Sequence, residues 1–366
     1  MHFLIKKETR MDKSQRLNSS KNWSKMFYNL PLDHIDIELT TRCNAACPMC
    51  FRNNHGDRPN PMLVEKDFEL DLLEQIDVPV KKLALCGNYG DPIMHKELPQ
   101  IIEYWFKNKS QNIVMMTNGG ARSKQWWTDL GKLTKGKMRV TFGIDGLEDT
   151  NHLYRRNVRW DRLMQNTKAF IDAGGDARWK FIIFKHNEHQ VLDARTLANK
   201  MGFKLFETVV TNRFANRYNS DKFPVFNKDS DLQYYLEAPS KKGTEVFHNE
   251  VKDYKAKNEL RIKKTVKEWT GDISCYAKRQ QSVYVAADGR VYPCPNTGYH
   301  FSRGQENVLW MQNKFYDLHV NTLDEIIRGA FFSKIENSWT SKDTCVHTCK
   351  QVCGIKRDNL NKVVEA

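Results

Sequence analysis

The sequence predicts an α/β fold built on a parallel sheet, and three observations carry that reading. Six β-rich apolar runs recur between residues 34 and 211, amphipathic helical patterns separate them, and polar, glycine-bearing and cysteine-bearing residues gather just after the runs. Strands alternating with helices read as repeated βα units with right-handed crossovers. In such sheets functional groups sit at the carboxyl ends of the strands.

The runs are HIDIELTT (34–41), KLALCGN (82–88), NIVMMTNG (112–119), MRVTFGID (138–145), RWKFIIFK (178–185) and KLFETVVT (204–211). Between them, Leu98, Ile101, Ile102, Trp105 and Phe106 share one face of a 3.6-residue period. Leu163, Thr167, Phe170 and Ile171 do so on a later helix, which Gly174-Gly175 ends. A further helix is expected over 188–201, capped by Asn187 with Gln190 three residues on, and closed by Gly202 at its C′ position. The strand ends then carry Thr40 to Cys50, Gly87 to Pro92, Thr117 to Gly120, Asp145-Gly146 and Lys185 to Asn187. Spacing alone leaves a doubly wound sheet and a barrel both open.

After residue 211 the character changes. Residues 212–274 read as a polar, Lys-rich bridge with a helix at about 249–269. Residues 275–366 hold five of the nine cysteines and a hairpin, SVYVAADGRVYPC, with Asp288-Gly289 as a two-residue turn. Residues 1–33 form a basic extension, with seven Lys/Arg against three Asp/Glu. The net charge of +14 is spread out, with no solid basic block, so a solvated surface is the plainer reading and nucleic-acid contact the secondary one. No run is apolar enough to span a bilayer and no secretory h-region opens the chain, which makes a cytoplasmic protein the expectation. In a reducing compartment, clustered cysteines in odd number point to metal ligation rather than disulfides.

Cys43, Cys47 and Cys50 stand as C-x3-C-x2-C just after the first strand. Three thiolates fall one short of a closed zinc site, whereas a cubane held by three cysteines leaves one iron open. A zinc knuckle completed by His55 is the competing reading.

This spacing after a strand resembles the signature of the radical S-adenosylmethionine (SAM) superfamily. The resemblance implies a partial (β/α)6 TIM-like barrel over 34–211, with a [4Fe–4S] cluster on the three cysteines. SAM would bind the open iron and be cleaved to methionine and a 5′-deoxyadenosyl radical. Met49, preceding the third cysteine with Phe51 just after it, is then a candidate to pack on the adenine. Tyr89-Gly90-Asp91-Pro92 resembles the family's GGEP element, which places Asp91 at the SAM amino group and Tyr89 and Gly90 beside it. Asn118 belongs to a TNG-like element. Asp145 ends a stretch like "SIDG", with Gly143 in the serine's place, and faces substrate or ribose. Lys185 and Asn187 are candidates to line the SAM pocket. Arg155 and Arg156 match an H-x-x-x-R-like stretch loosely, and a solvated surface pair is their plainer reading. Cys86 reads as a small buried hydrophobe. No residue is assigned to hydrogen abstraction itself.

Cys275-x13-Gly289-x4-Cys294, followed by Cys345, Cys349 and Cys353, resembles the SPASM or twitch extension of such enzymes. It implies a small C-terminal Cys-rich domain with a second, auxiliary [4Fe–4S] cluster. Cys275, Cys294 and Cys345 are the firmer ligands, and Cys349 and Cys353 compete for the fourth place. A zinc ribbon drawing on His347 is the alternative. The resemblance favours a peptide or protein substrate, with a sugar or cofactor precursor next, and a donor such as flavodoxin or ferredoxin. A zinc-stabilised nucleic-acid-binding protein is the rival from another class.

Overall fold

The computed structural model describes residues 28–211, 213–214, 220–240, 269–302, 314–341 and 343–356. The leader up to residue 27, and the bridge helix expected at about 249–269 up to residue 268, lie outside the described residues. All six expected strands are present: β1 (His34–Ile37), β2 (Leu83–Leu85), β3 (Ile113–Thr117), β4 (Met138–Gly143), β5 (Asp176–Ile183) and β6 (Leu205–Val210). Each pairs in parallel with the next. Within the bridge, β7 (Lys222–Phe226) and β8 (Leu232–Glu237) form an antiparallel hairpin. Further on come β9 (Trp269–Ile273), β10 (Ser282–Val285), β11 (Val291–Tyr292) and β12 (Gly354–Lys356).

The sheet order is β11-β10-β1-β2-β3-β4-β5-β6, a partial TIM-like arrangement. The distal strand β10 runs parallel to β1, so the sheet continues across residue 275 in sequence. The expected hairpin is real, but Ala286 donates to the Arg290 carbonyl and leaves a three-residue loop, 287–289. Gly289, at φ +78°, supplies the left-handed position that such a loop uses.

Alternation along the strands decides what faces the site. On β5 the residues Ala177, Trp179, Phe181 and Ile183 are buried under the helices, and the residues between them are half-exposed on the concave side. Helix Leu98–Asn108 buries Leu98, Ile101, Ile102 and Trp105, and helix Trp160–Asp172 buries Leu163, Thr167 and Phe170, as their periodicity requires. The helix after β5 occupies the expected span, as a 3-10 turn over Glu188–Gln190 that continues into the α-helix Val191–Met201. Asn187 does not cap it, because its side-chain oxygen accepts from the Phe184 N–H instead. Gly202, at φ +92°, closes it as expected.

On β1, Ile35 and Ile37 are buried with the core while Asp36 is only half-buried. Burial pushes the Asp36 carboxyl up to about 6, against a lowering influence from Lys82. The native state therefore holds this proton more tightly than the unfolded chain. Its favourable contribution is complete below about pH 4 and is lost as pH rises through about 6. Asp36→Asn is expected to stabilise the protein at neutral pH by on the order of 2 kcal/mol, and to do little at pH 4. Urea unfolding at the two pH values checks this. Destabilisation at neutral pH would mean the charge has a partner that this burial argument leaves out.

Candidate active site

Beyond β1 the chain turns into the loop that carries Cys43, Cys47 and Cys50. The loop is fixed from several sides. The Thr40 hydroxyl donates to Asp67, the Thr41 N–H donates to the Lys66 carbonyl while the Lys66 N–H donates to the Thr41 hydroxyl, and the Ala46 N–H donates to the Arg156 carbonyl. All three cysteines line one cavity of about 590 Å³ at the carboxyl ends of the strands. That volume lies in the range of small-ligand sites. N–H groups also point at two of the sulfurs: Asn118 Nδ2 lies 3.6 Å from Cys43 Sγ, and Arg155 Nη1 lies 3.7 Å from Cys47 Sγ. Donors aimed at sulfur suit thiolates that carry negative charge on a cluster. Without that ligation, burial pushes both thiols up, Cys47 to about 11.

The second strand's loop closes over the first. Tyr89, Gly90, Asp91 and Asn118 all line the cavity. A Cβ on Gly90 would overlap the backbone carbonyl of Thr40, so only glycine lets these two loops approach this closely. Asp91 is tied within the protein. One carboxylate oxygen accepts from the Asn118 N–H and Nδ2, both at 2.7 Å, and from the Thr117 hydroxyl at 3.1 Å. The other accepts from the Ile93 N–H at 3.2 Å. It thus joins the ends of β2 and β3. Beneath this loop lies Glu38, which sequence reading passed over. Its carboxylate accepts from the Tyr89 and Gly90 N–H groups and from the Tyr284 hydroxyl. An acid in the apolar run HIDIELTT, two places after Asp36, was the available signal.

Arg155 is no surface residue. It lines the cavity and forms an ion pair with Asp145 at 2.6 Å. Arg156 is likewise held, by Asp57 and the Tyr234 hydroxyl. The absence of a side chain at Gly143 makes room for Arg155, whose guanidinium fills the space a Cβ would need. Gly143→Ser should therefore push the guanidinium off Asp145 and strand a buried acid, at a cost of about 3 kcal/mol. Urea unfolding measures it. A change within about 0.5 kcal/mol would show that Arg155 swings aside freely.

Four expected pocket residues, Asp145, Met49, Lys185 and Asn187, lie outside the cavity lining. Asp145 is fully buried behind Arg155, accepting from Arg155 and the Ile182 N–H, so it reaches the cavity only through that arginine. Met49 is fully buried in the hydrophobic core, and only its carbonyl serves the site, accepting from Arg213. Lys185 lies past the end of β5 and pairs with Glu237 at 2.8 Å, outside the cavity lining. The lysine that does line it is Lys180, on the concave side of β5. Asn187 is buried and bonded to the Asp145 and Ile182 carbonyls. Cys86 is not a core hydrophobe: it faces the cavity beside Met116, with the two sulfurs 3.6 Å apart. His55 stacks on Phe223 at 4.4 Å and its Nδ1 meets the Pro224 carbonyl, which holds it against the β7–β8 hairpin.

The distal cysteines separate into two sets. Cys275, Cys294, Cys349 and Cys353 line one small cavity with Ile273, Pro293 and Trp339. Cys349 and Cys353 stand four residues apart on helix His347–Cys353, hence on one face. Cys345 precedes the helix, its Sγ directed at the Val346 carbonyl, and does not line the cavity. His347 is exposed on that helix. Among the described residues, no three His, Cys, Asp or Glu side chains close around a single ion.

The pattern that defines the radical SAM superfamily matches residues 37–210. The GTP 3′,8-cyclase of Nautilia profundicola is 22% identical over 230 residues, 56% of this chain and 70% of that protein. The antilisterial bacteriocin subtilosin biosynthesis protein AlbA of Bacillus subtilis is 24% identical over 181 residues, 49% of this chain but only 39% of that protein. Among solved structures, native anSMEcpe with bound AdoMet and a Cp18Cys peptide superposes with a TM-score of 0.51 at 15% identity, covering 88% of this chain and 86% of that one. Streptococcus suis SuiB gives 0.50 at 14% identity, covering 83% and 67%. These structural likenesses establish a common fold. The chain carries a radical SAM domain, and the members of that superfamily are enzymes that use a [4Fe–4S] cluster and SAM.

Proposed function

We propose that this radical SAM enzyme holds its cluster on Cys43, Cys47 and Cys50 and abstracts hydrogen from a peptide or protein substrate. The observation that carries the reading is a single cavity with three cysteines on its wall and the Tyr89–Asp91 loop, Asn118 and Arg155 around them. When bound, the cluster and SAM supply one-electron cleavage of a carbon–sulfur bond and a 5′-deoxyadenosyl radical.

The chain's own residues do the rest. Asn118 and Arg155 donate toward the cysteine sulfurs, and Asp145 keeps Arg155 aimed. Arg155, a fixed cation at the cavity wall, would take the SAM carboxylate. Asp91 sets the position of Asn118 rather than offering a free carboxylate. Residues 34–211 serve as the catalytic core and 275–366 as an auxiliary domain, with Cys275, Cys294, Cys349 and Cys353 holding a second cluster. A ferredoxin or flavodoxin would deliver the electron.

Anaerobic reconstitution with iron, sulfide and dithionite tests the class, since 5′-deoxyadenosine and methionine should appear in equal amounts. Their absence with a fully loaded protein would reject it. The likeness to GTP 3′,8-cyclases supports a second reading, a small-molecule substrate. A substrate of either kind should raise the 5′-deoxyadenosine yield and itself change mass.

A further inference from the structure

We propose that Lys180 is the substrate-anchoring cation of the cavity and takes a carboxylate, from an acidic side chain or a free C-terminus of a peptide. This rests on the radical SAM reading and adds a substrate class to it. Among the described residues, three cations line the cavity: Arg155, Lys180 and Arg213. Arg155 is held by Asp145 and, on the radical SAM reading, is taken by the SAM carboxylate. Arg213 donates to the Met49 carbonyl and lies over the Phe51 ring at 5.1 Å. Asp91, the one acid among the described lining residues, is occupied by four donors from neighbouring residues.

Lys180 differs from the other two cations. Among the described residues, its ammonium has no ion-pair or hydrogen-bond partner. It stands beside Gly143 in the β4–β5 register, next to the place the Arg155 guanidinium occupies. Its register partner on β6, Glu207, is exposed and forms no ion pair with it. The acid whose field it feels, Asp145, is already paired with Arg155, so an ammonium on this half-buried wall favours an anionic ligand group. One uncommitted charge matches one carboxylate. A triphosphate would ask for several, and the other two cations are engaged.

The test uses SAM-bound holoprotein and three probes followed by saturation-transfer NMR up to tens of millimolar: N-acetylglutamate N-methylamide, its glutamine counterpart, and GTP. The glutamate probe should bind at least about fivefold better than the glutamine one, the scale of a single charged contact. Lys180→Gln should erase that preference and Lys180→Arg should restore it. Equal binding of the two amino-acid probes, a preference that survives Lys180→Gln, no binding of the glutamate probe, or tighter Lys180-dependent binding of GTP would each overturn the proposal. So would a tenfold loss of SAM affinity in Lys180→Gln, which would hand the lysine to SAM's own carboxylate. Formation of 5′-deoxyadenosine by the unmutated protein is followed in parallel. If it fails while the glutamate preference stands, the radical SAM reading falls and Lys180 remains a carboxylate site.

Discussion

Cys47→Ala is expected to reduce SAM cleavage to background and to remove about four irons per chain, the content of one cubane. The loop should survive the change, because its contacts at this position are made by the backbone. The Cys47 carbonyl accepts from the Cys50 N–H and from Asn53 Nδ2, and alanine keeps that carbonyl. What is lost is one ligand and the acceptor that Arg155 faces at 3.7 Å. The melting temperature of the metal-free variant should therefore stay within a few degrees of the metal-free parent, while anaerobic absorbance near 400 nm falls. Cys86→Ala is the contrast. That thiol faces the same cavity from β2's end and belongs to no cysteine loop, so iron should be retained. Retained cleavage in Cys47→Ala would sink the ligand assignment outright.

The strands could be read from the sequence because parallel-sheet patterning is local, whereas their order, which spacing leaves open between a doubly wound sheet and a barrel, needed the structure. Each apolar run is short, each is followed by its polar end, and all six strands start within two residues of their expected starts, although β1 ends four residues early. The site was legible only where function sits on the backbone. The cysteine loop, Gly90 and Asn118 are placed by turns that the chain announces itself. Side-chain direction was harder. Lys185 looked like a pocket residue because it follows a strand, yet the alternation of β5 turns Lys180 inward and leaves Lys185 to pair with Glu237. The motif around Asp145 points it at the pocket, but the structure routes its charge through Arg155, ten residues on. Met49 adjoins Cys50 in sequence, but the turn sends its side chain into the core. Glu38 lay hidden because a buried acid makes sense only with its donors in view, and these come from residues 89, 90 and 284.

For the distal cysteines the decisive comparison is between neighbours one helical turn apart. Cys349→Ala should lower iron by about four per chain and leave SAM cleavage at the first site measurable, whereas Cys345→Ala should keep its full iron content. The reason is geometric. Cys349 and Cys353 share a face of helix His347–Cys353 and line the same cavity as Cys275 and Cys294. Cys345 lies ahead of the first helical residue, so the spacing that would continue the face by another turn is broken there. Metal analysis separates the alternatives: loss of zinc rather than iron would mark a zinc ribbon, and loss of iron in Cys345→Ala with retention in Cys353→Ala would shift the ligand set one turn toward the N-terminus. The assignment also bears on chemistry. Four thiolates leave no iron open, so a cluster held by Cys275, Cys294, Cys349 and Cys353 would exchange electrons with the cavity rather than ligate a substrate. The substrate would then have to be gripped by the core, which returns the burden of recognition to side chains such as Lys180.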